Sequence, residues 1–214
     1  MFWNVIDPTR KSVLNIILES EPLPDCYLAG GTALALLLGH RESIDFDWFT
    51  STPFTPEQIE NRLAPHGELM ITEAKPNTFH GLFNDVQVTW LYYPHPLLEP
   101  SITLIEMPHL RIASPLDIST MKLIAASQRG AKKDFIDLYA LEQYGITVPM
   151  LLSRLSEKFP DKVINYYHIV KSLVFFDDAE QEPMPRMLRD LDWSEVKNYF
   201  KIQQKPLLDF IADL

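Results

Sequence analysis

The sequence is short of cysteine, glycine and positive charge. A single cysteine among 214 residues excludes an internal disulfide framework and is typical of a reducing compartment. Seven glycines against 17 prolines leave little room for flexible linkers. The formal net charge of -10 and the pI near 5.0 argue against broad non-specific binding of nucleic acid, although they are compatible with a local basic pocket.

Long hydrophobic runs are also missing. The longest apolar stretch, around Ala33–Leu38, is far below the roughly 20 residues of a membrane-spanning helix. The N-terminal "MFWNVIDPTRK" lacks the basic start and apolar run of a secretory signal. The chain does have 46% hydrophobic and 22% charged residues, which is ordinary for a globular protein with a sizeable core. We therefore expect a cytoplasmic protein with no membrane attachment.

The first half of the chain has the patterns of a mixed α/β domain. Apolar and polar side chains alternate between residues 43 and 49, which is typical of a strand. Thr55, Pro56 and Gln58 match a capping box that opens a helix. Segments rich in β-branched and aromatic residues then continue to about residue 112. In chain order, these patterns predict a helix at 12–19, a strand at 27–29, a helix at 32–38 closed by Gly39, and strands at 43–49, 69–72, 78–82, 86–92 and 103–105.

From Ser114 onward the patterns are helical. Two amphipathic segments end at Gly130 and Gly145, and glycine is common just beyond the C-terminus of a helix. Further helices are predicted at 148–158, 162–174 and 194–214. We therefore divide the chain into an α/β core at 1–112 and a helical region at 113–214.

The stretch "YLAGGTALALLLGHRESIDFDWFT" contains a candidate phosphate-binding turn. Gly30 and Gly31 lie between a predicted strand and a predicted helix, where bare backbone and free N–H groups accommodate an anion. The Thr32 hydroxyl is a further potential donor, and Arg41 and Ser43 are near enough along the chain to reach phosphate. For the Gly-Gly-Thr motif alone, a tight turn with Thr32 as helix N-cap is the alternative.

Asp45 and Asp47 follow closely in the same stretch. At positions i and i+2 of a strand, both carboxylates point to one face, with Cα atoms roughly 6–7 Å apart. Such like charges repel unless a cation lies between them, and Mg²⁺ binds carboxylates while keeping positions for water and phosphate. The alternative for Asp-x-Asp alone is the solvated face of an edge strand. Together with the glycine turn, the pair favours metal-assisted nucleotidyl transfer.

Two segments resemble the AbiEii/AbiGii nucleotidyltransferase toxins, which are bacterial abortive-infection and type IV toxin–antitoxin proteins. "GGTALALLLGHRESIDFDWFT" resembles the first motif of that family. "MKLIAASQRGAKKDFIDLYAL" is similar to its helical segment that runs from a lysine to Arg-Asp-x-x-Asp. The resemblance implies a DNA-polymerase-β-like nucleotidyltransferase core with a mixed β-sheet, followed by a helical region that completes the active-site cleft.

The resemblance also implies roles for individual residues. Lys122 would offer a point charge to triphosphate oxygens, and we expect it to contact Asp137. Asp134 and Asp137 share a helix face, so that one of them could orient the lysine or accept a proton. Without the resemblance, the alternative interpretations are that Lys122 is a surface lysine and that "KKDFIDLY" is a charged amphipathic helix. The implied sets are Asp45 and Asp47 for metal, Gly30, Gly31 and Thr32 for phosphate, and Asp45, Asp47, Lys122 and Asp137 for catalysis.

The implied activity transfers a nucleoside monophosphate from an NTP, with Mg²⁺ or Mn²⁺, to an acceptor hydroxyl. The family suggests the 3′ end of a tRNA as acceptor and a separate antitoxin as partner. Arg129, Lys132 and Lys133 form a compact basic patch in the sequence that would suit an RNA end.

One expected acid is missing. Polymerase-β-like enzymes generally carry a third carboxylate on a later strand, where this chain offers Gln87 and Thr89. Asp85 and Glu73 are the nearest other acids. The alternative function is therefore a catalytically degenerate protein of this fold that binds a nucleotide or a partner.

Histidine and cysteine show no pattern of a metal site. His80, His95 and His109 are scattered without the spacing of metal ligands, and each is predicted to be an ordinary core or surface residue. Cys26 has no histidine or aspartate to pair with and is predicted to be a small buried hydrophobe.

Overall fold

The computed structural model describes residues 1–214, which form two units, Met1–Ser114 and Pro115–Leu214. This division falls close to the boundary expected near residue 112. Each unit has its own buried core.

The first unit is built on a seven-stranded mixed sheet with helices. The strands lie in the order β3-β4-β5-β2-β1-β7-β6, so that β2 is an interior strand, antiparallel to β1 and parallel to β5. The edge-strand interpretation of Asp-x-Asp is therefore wrong. The elements are α1 (Pro8–Ser20), β1 (Tyr27–Ala29), α2 (Gly30–Leu38), β2 (Phe46–Thr50), α3 (Pro56–Leu63), β3 (Leu69–Lys75), β4 (Thr78–Phe83), β5 (Val86–Tyr92), β6 (Ile102–Leu104) and β7 (Met107–Ile112).

Aromatic side chains fill one side of this sheet. Trp48 of β2 stacks on Trp90 of β5 at 6.3 Å between ring centroids, and Phe79 of β4 meets Trp90 edge-on at 5.8 Å. All three are almost completely buried, as is Phe46. Because side chains alternate along a strand, this packing directs Asp47 to the opposite side of the sheet.

Local signals predicted several helix ends correctly. Thr55 and Gln58 form the expected capping box at the start of α3. Gly39 closes α2 with φ +62, a conformation that glycine adopts at little cost.

Strand boundaries were predicted less well. The strand expected from residue 43 begins at Phe46, and Ile44 is exposed instead of joining the apolar face. The Ile44 carbonyl accepts a hydrogen bond from Nε of Arg10, which holds this segment outside the sheet. The single strand predicted at 103–105 is a hairpin of β6 and β7.

The second unit is helical. Phe135 is at the centre of its aromatic core, in edge-on contact with Phe176, Trp193 and Phe200 at 5.1, 6.0 and 5.6 Å. The helix predicted at 162–174 starts later, because Asn165 caps it by accepting the His168 N–H. No helix is both long and apolar enough to cross a membrane. The elements are α4 (Pro115–Arg129), α5 (Lys132–Gln143), α6 (Val148–Lys158), α7 (Tyr166–Ser172), α8 (Asp177–Glu180), which lies in a predicted loop, and α9 (Trp193–Ala212).

Candidate active site

The glycine turn and Asp47 pack directly against each other. Ala29 of β1 pairs with Asp47 of β2, so the chain leaves β1 beside the aspartate and enters α2 at Gly30. Gly30 has φ +68, and a Cβ at this position would lie 2.4 Å from Oδ2 of Asp47. A Cβ on Gly31 would lie 2.6 Å from Nη2 of Arg41. Both glycines are therefore needed for a carboxylate and a guanidinium to approach the backbone.

Buried polar side chains support the turn from within. Thr32 is 1% exposed, and its Oγ1 lies 2.7 Å from Oγ of Ser43 and hydrogen bonds to the Asp45 carbonyl. Arg41 and Ser43 are also buried, and Arg41 donates to the Glu42 carbonyl at 2.9 Å. Thr32 is not the helix N-cap, because α2 starts at Gly30 without a side-chain cap. These three side chains support the turn and the backbone of Asp45.

The two aspartates could hold a cation whose remaining ligands are water or phosphate oxygens. Asp45 directly precedes β2 and Asp47 is the second residue of the strand. Both are partly exposed, whereas Phe46 and Trp48 are buried, which is the pattern of carboxylates on one face. No group of three or more His, Cys, Asp or Glu side chains is arranged to hold a metal. Two partly exposed carboxylates could hold Mg²⁺, which takes its remaining ligands from water and phosphate, and they do not make a closed structural metal site.

Alanine substitutions at Gly30 and Gly31 should affect stability and nucleotide binding differently. Gly30→Ala places a methyl group against Asp47 at a positive φ, and we expect a stability loss of more than about 1 kcal/mol and loss of activity. Gly31→Ala meets the end of the Arg41 side chain and Oγ of Ser43 at a φ that is not positive, so we expect a smaller loss of stability than at Gly30 and a raised KM for the nucleotide. Gly145→Ala is the control, because Gly145 has φ +92 but nothing within 4 Å of the added Cβ. Equal losses of stability at Gly30 and Gly145 would contradict close packing of Asp47 on the turn.

Thr89 occupies the position where a third carboxylate was expected. In the parallel pairing of β2 with β5, Asp47 lies opposite Thr89. Thr89 in turn pairs with His80 of β4, and His80 pairs with Glu73 of β3. The Nδ1 atom of His80 is 3.0 Å from Oγ1 of Thr89. The sequence did not single out His80, because its partners become neighbours only through the strand register.

A buried ionic cluster lies between α4 and α5 of the second unit. Lys122 Nζ is 2.9 Å from Oδ1 of Asp134 and 2.8 Å from Oδ2 of Asp137. Arg129 donates two hydrogen bonds to Asp134, at 2.7 and 2.9 Å. The expected contact of Lys122 with Asp137 is thus confirmed. The surface-lysine interpretation is wrong, since Lys122 is 4% exposed and both aspartates are fully buried.

The neighbouring positive charges keep Asp134 ionised. Burial by itself raises the pKa of Asp134, but the positive charge of Lys122 and the hydrogen bonds and charge of Arg129 outweigh it. The net result is a pKa below the usual range of an aspartate. Asp134 therefore remains a carboxylate at neutral pH and places a negative charge beside the Lys122 ammonium.

The predicted basic patch is not a continuous surface. Lys132 is buried: its N–H donates to Oε2 of Glu182 at 2.8 Å, and its ammonium bonds to the Glu182 carbonyl beside the Trp193 ring. Arg129 is engaged with Asp134, while Lys133 is exposed. The prediction that all three residues share one basic patch is therefore wrong, because packing of α5 buries Lys132, whereas Arg129 and Lys133 are exposed.

Two other buried groups have structural roles. Lys158 of α6 and Asp117 of α4 form a fully buried ion pair at 2.6 Å, which the sequence did not indicate because the two residues are far apart along the chain. Burial raises the pKa of the Cys26 thiol to about 11, and the thiol donates to the Leu23 carbonyl. Cys26 is therefore protonated at neutral pH. It is half-buried, so the prediction of a small buried hydrophobe is met only in part.

Comparison with known proteins agrees with this fold. The profile of the family described as nucleotidyl transferase AbiEii toxin, type IV TA system, matches residues 12–80 and 86–212. An uncharacterised protein of Aquifex aeolicus is 35% identical over 205 residues, which cover 94% of this chain and 96% of that protein.

Two solved structures have a similar fold. A protein of H. pylori described as a nucleotidyltransferase aligns with a TM-score of 0.54 at 17% identity and covers 95% of both chains. MenT4, a nucleotidyltransferase toxin of Mycobacterium tuberculosis H37Rv, aligns with a TM-score of 0.54 at 15% identity over 96% of this chain and 85% of its own. The nucleotidyltransferase fold predicted from the sequence is confirmed.

Proposed function

Because the chain belongs to the AbiEii family of nucleotidyltransferase toxins of type IV toxin–antitoxin systems, we propose that it transfers a nucleoside monophosphate from an NTP to an acceptor hydroxyl. The observation that carries this proposal is the Gly30–Gly31 turn packed against the Asp47 carboxylate. A phosphate-binding backbone and a metal-binding carboxylate are thereby held side by side, as a bound metal–triphosphate complex requires.

The glycine turn is the proposed site for the triphosphate. The first N–H groups of α2 have no partner within the helix and are available to phosphate oxygens. The Arg41 guanidinium lies against Gly31 and adds positive charge on the protein side of the turn. Arg41 thus favours an anion at this backbone without having to leave its buried position.

Asp45 and Asp47 are the proposed ligands of Mg²⁺ or Mn²⁺. A bound divalent cation would neutralise charge on the triphosphate and on the departing pyrophosphate. Thr32 positions Asp45 by bonding its carbonyl, and Gly30 gives the Asp47 carboxylate room beside the turn. The chain itself therefore supplies the orientation, which is the main demand of phosphoryl transfer.

The transfer is a single displacement at the α-phosphorus. A lone pair of the acceptor oxygen forms the new bond, the bond to the β-phosphate oxygen breaks, and pyrophosphate leaves with that electron pair. The acceptor loses its proton during this step, so the site needs a proton acceptor. Lys122 is proposed to aid transfer, and Asp134 and Asp137 hold its ammonium in place.

An RNA 3′ end, such as that of a tRNA, is the proposed acceptor, and a separate antitoxin is the proposed partner in the cytoplasm. The net charge of -10 disfavours extended RNA contacts, so recognition should be confined to the end of the strand. Arg129 and Lys133 are the exposed residues of the predicted basic group. Arg129 hydrogen bonds to Asp134, so Lys133 is the first to test for such a contact.

Labelled nucleotides test this function directly. The purified protein is incubated with Mg²⁺ or Mn²⁺, each labelled NTP in turn, and total tRNA. We expect label on the tRNA with at least one NTP, and none after chelation of the metal or periodate oxidation of the tRNA 3′ end. Transfer that survives periodate would reject the 3′ end as acceptor.

A second function, nucleotide or partner binding without transfer, is favoured by Thr89 in place of an acid beside Asp47. If this second function is right, calorimetry should detect metal-dependent NTP binding, and no RNA or protein acceptor should become labelled. The comparison of binding with transfer on one protein preparation separates the two functions.

A further inference from the structure

A row of polar side chains crosses the sheet of the first unit beside the proposed metal ligands. Asp47 of β2 pairs with Thr89 of β5, Thr89 pairs with His80 of β4, and His80 pairs with Glu73 of β3. Residues paired across neighbouring strands point to the same face. The row therefore leads from the metal site to the partly exposed His80 and Glu73.

The contacts within the row define its proton positions. His80 Nδ1 is 3.0 Å from Oγ1 of Thr89, and His80 Nε2 is 3.9 Å from Oε2 of Glu73. The Thr89 hydroxyl donates to Nδ1 when the neutral imidazole carries its proton on Nε2, and a carboxylate near Nε2 favours that form. Thr89 is 4% exposed, so its hydroxyl is held in this geometry by packing.

Glu73 is the anionic side chain that faces the His80 ring. Lys75 Nζ is 2.6 Å from Oε1 of Glu73, and this hydrogen bond and charge hold the pKa of Glu73 below its usual range. Helix α3 also packs on β4, but its charged residues Glu57, Glu60 and Arg62 are exposed. Glu73 is thus ionised at neutral pH and available to stabilise an imidazolium.

On the basis of the proposed transfer reaction, we propose that Thr89 and His80 form the proton relay that takes the role of the missing third carboxylate. The acceptor hydroxyl gives its proton to Oγ1 of Thr89 while the proton of Thr89 moves to Nδ1 of His80. The electron pair left on the acceptor oxygen forms the bond to the α-phosphorus, and pyrophosphate leaves. The imidazolium is stabilised by Glu73 and later releases its proton to water. Thr89 and His80 thus supply the proton acceptor that a third acid would otherwise provide.

Steady-state kinetics over a pH range test the relay. We expect His80→Gln and Thr89→Val each to lower kcat about 100-fold while KM for the NTP changes less than about twofold. The pH profiles of the parent and of His80→Gln should differ, because only the parent has the histidine that accepts the proton.

Two matched variants control for the loss of a histidine or a threonine. His109→Gln removes a histidine that is also paired with a glutamate, since His109 Nδ1 is 2.6 Å from Oε1 of Glu21 on a different part of the sheet. Thr78→Val removes a hydroxyl from β4, outside the row. Both should keep the activity and pH profile of the parent. An active parent with an unchanged rate and profile in His80→Gln would overturn the relay and leave the transfer function standing.

The imidazole tautomer gives a readout that does not depend on activity. In long-range ¹H–¹⁵N spectra of the metal-free protein, neutral His80 should carry its proton on Nε2, and Thr89→Val should weaken this preference. A proton on Nδ1 of His80 would overturn the relay even if transfer is observed. If the parent is inactive but His80 has the expected tautomer, the proposed transfer function is rejected, whereas the hydrogen bond between Thr89 and His80 is supported.

Discussion

Asp47→Asn should lower nucleotidyl transfer by at least about 100-fold while leaving the protein folded. The substitution keeps the shape of a side chain that packs on Gly30 but removes the charge that would bind a divalent cation. The melting temperature should fall little or even rise, because Asp45 and Asp47 are like charges held close together. Rates of the parent and the variant at matched Mg²⁺, together with thermal unfolding, check both parts of the prediction.

A second aspartate provides the control for that experiment. Asp85 is exposed in the turn between β4 and β5 at φ +64, a conformation that asparagine also tolerates. Asp85→Asn should therefore keep both activity and stability, which also tests whether this acid serves as a third catalytic carboxylate. Equal, robust transfer in the parent and in Asp47→Asn would reject the proposed mechanism.

Lys122→Met should cost about 3–5 kcal/mol of unfolding free energy. The variant removes the ammonium that lies 2.8 Å from the fully buried Asp137. It also removes the Lys122 contact of Asp134, which keeps its hydrogen bonds from Arg129. Removing one member of a buried ion pair is costly because the remaining charge stays desolvated. Chemical denaturation of the parent and the variant, in parallel with transfer assays, measures the effect.

Variants of neighbouring residues separate the structural and functional roles of Lys122. Lys133→Met changes an exposed lysine of α5 and should alter stability by less than about 0.5 kcal/mol. Lys122→Met combined with Asp137→Asn should recover part of the lost stability, because the uncompensated charge is gone. If Lys122 acts on the triphosphate, the double variant still lacks transfer. A stability of Lys122→Met equal to that of Lys133→Met would contradict the buried cluster.

Short-range patterns in the sequence were enough to locate the motifs of the first unit. The capping box at Thr55, the closing Gly39 and the glycines at the start of α2 depend on residues within one turn of the chain, so their physics is visible locally. The Asp-x-Asp spacing similarly determines that both carboxylates share a face once the segment is extended. These features, together with the resemblance they carry, led to the correct fold.

Tertiary structure alone decided which polar side chains meet. His80 reaches Thr89 and Glu73 through the register of three strands, and one residue of slip would turn each of them to the other face. The inward turn of Lys132 likewise follows from how α5 packs on the rest of its unit. Periodicity along one segment contains no information about the partner segment, whose position is set by the burial of apolar faces across the whole unit. The sequence by itself therefore determined the family, the glycine turn and the aspartate pair, whereas packing determined the row beside Asp47 and the buried charge of Lys122.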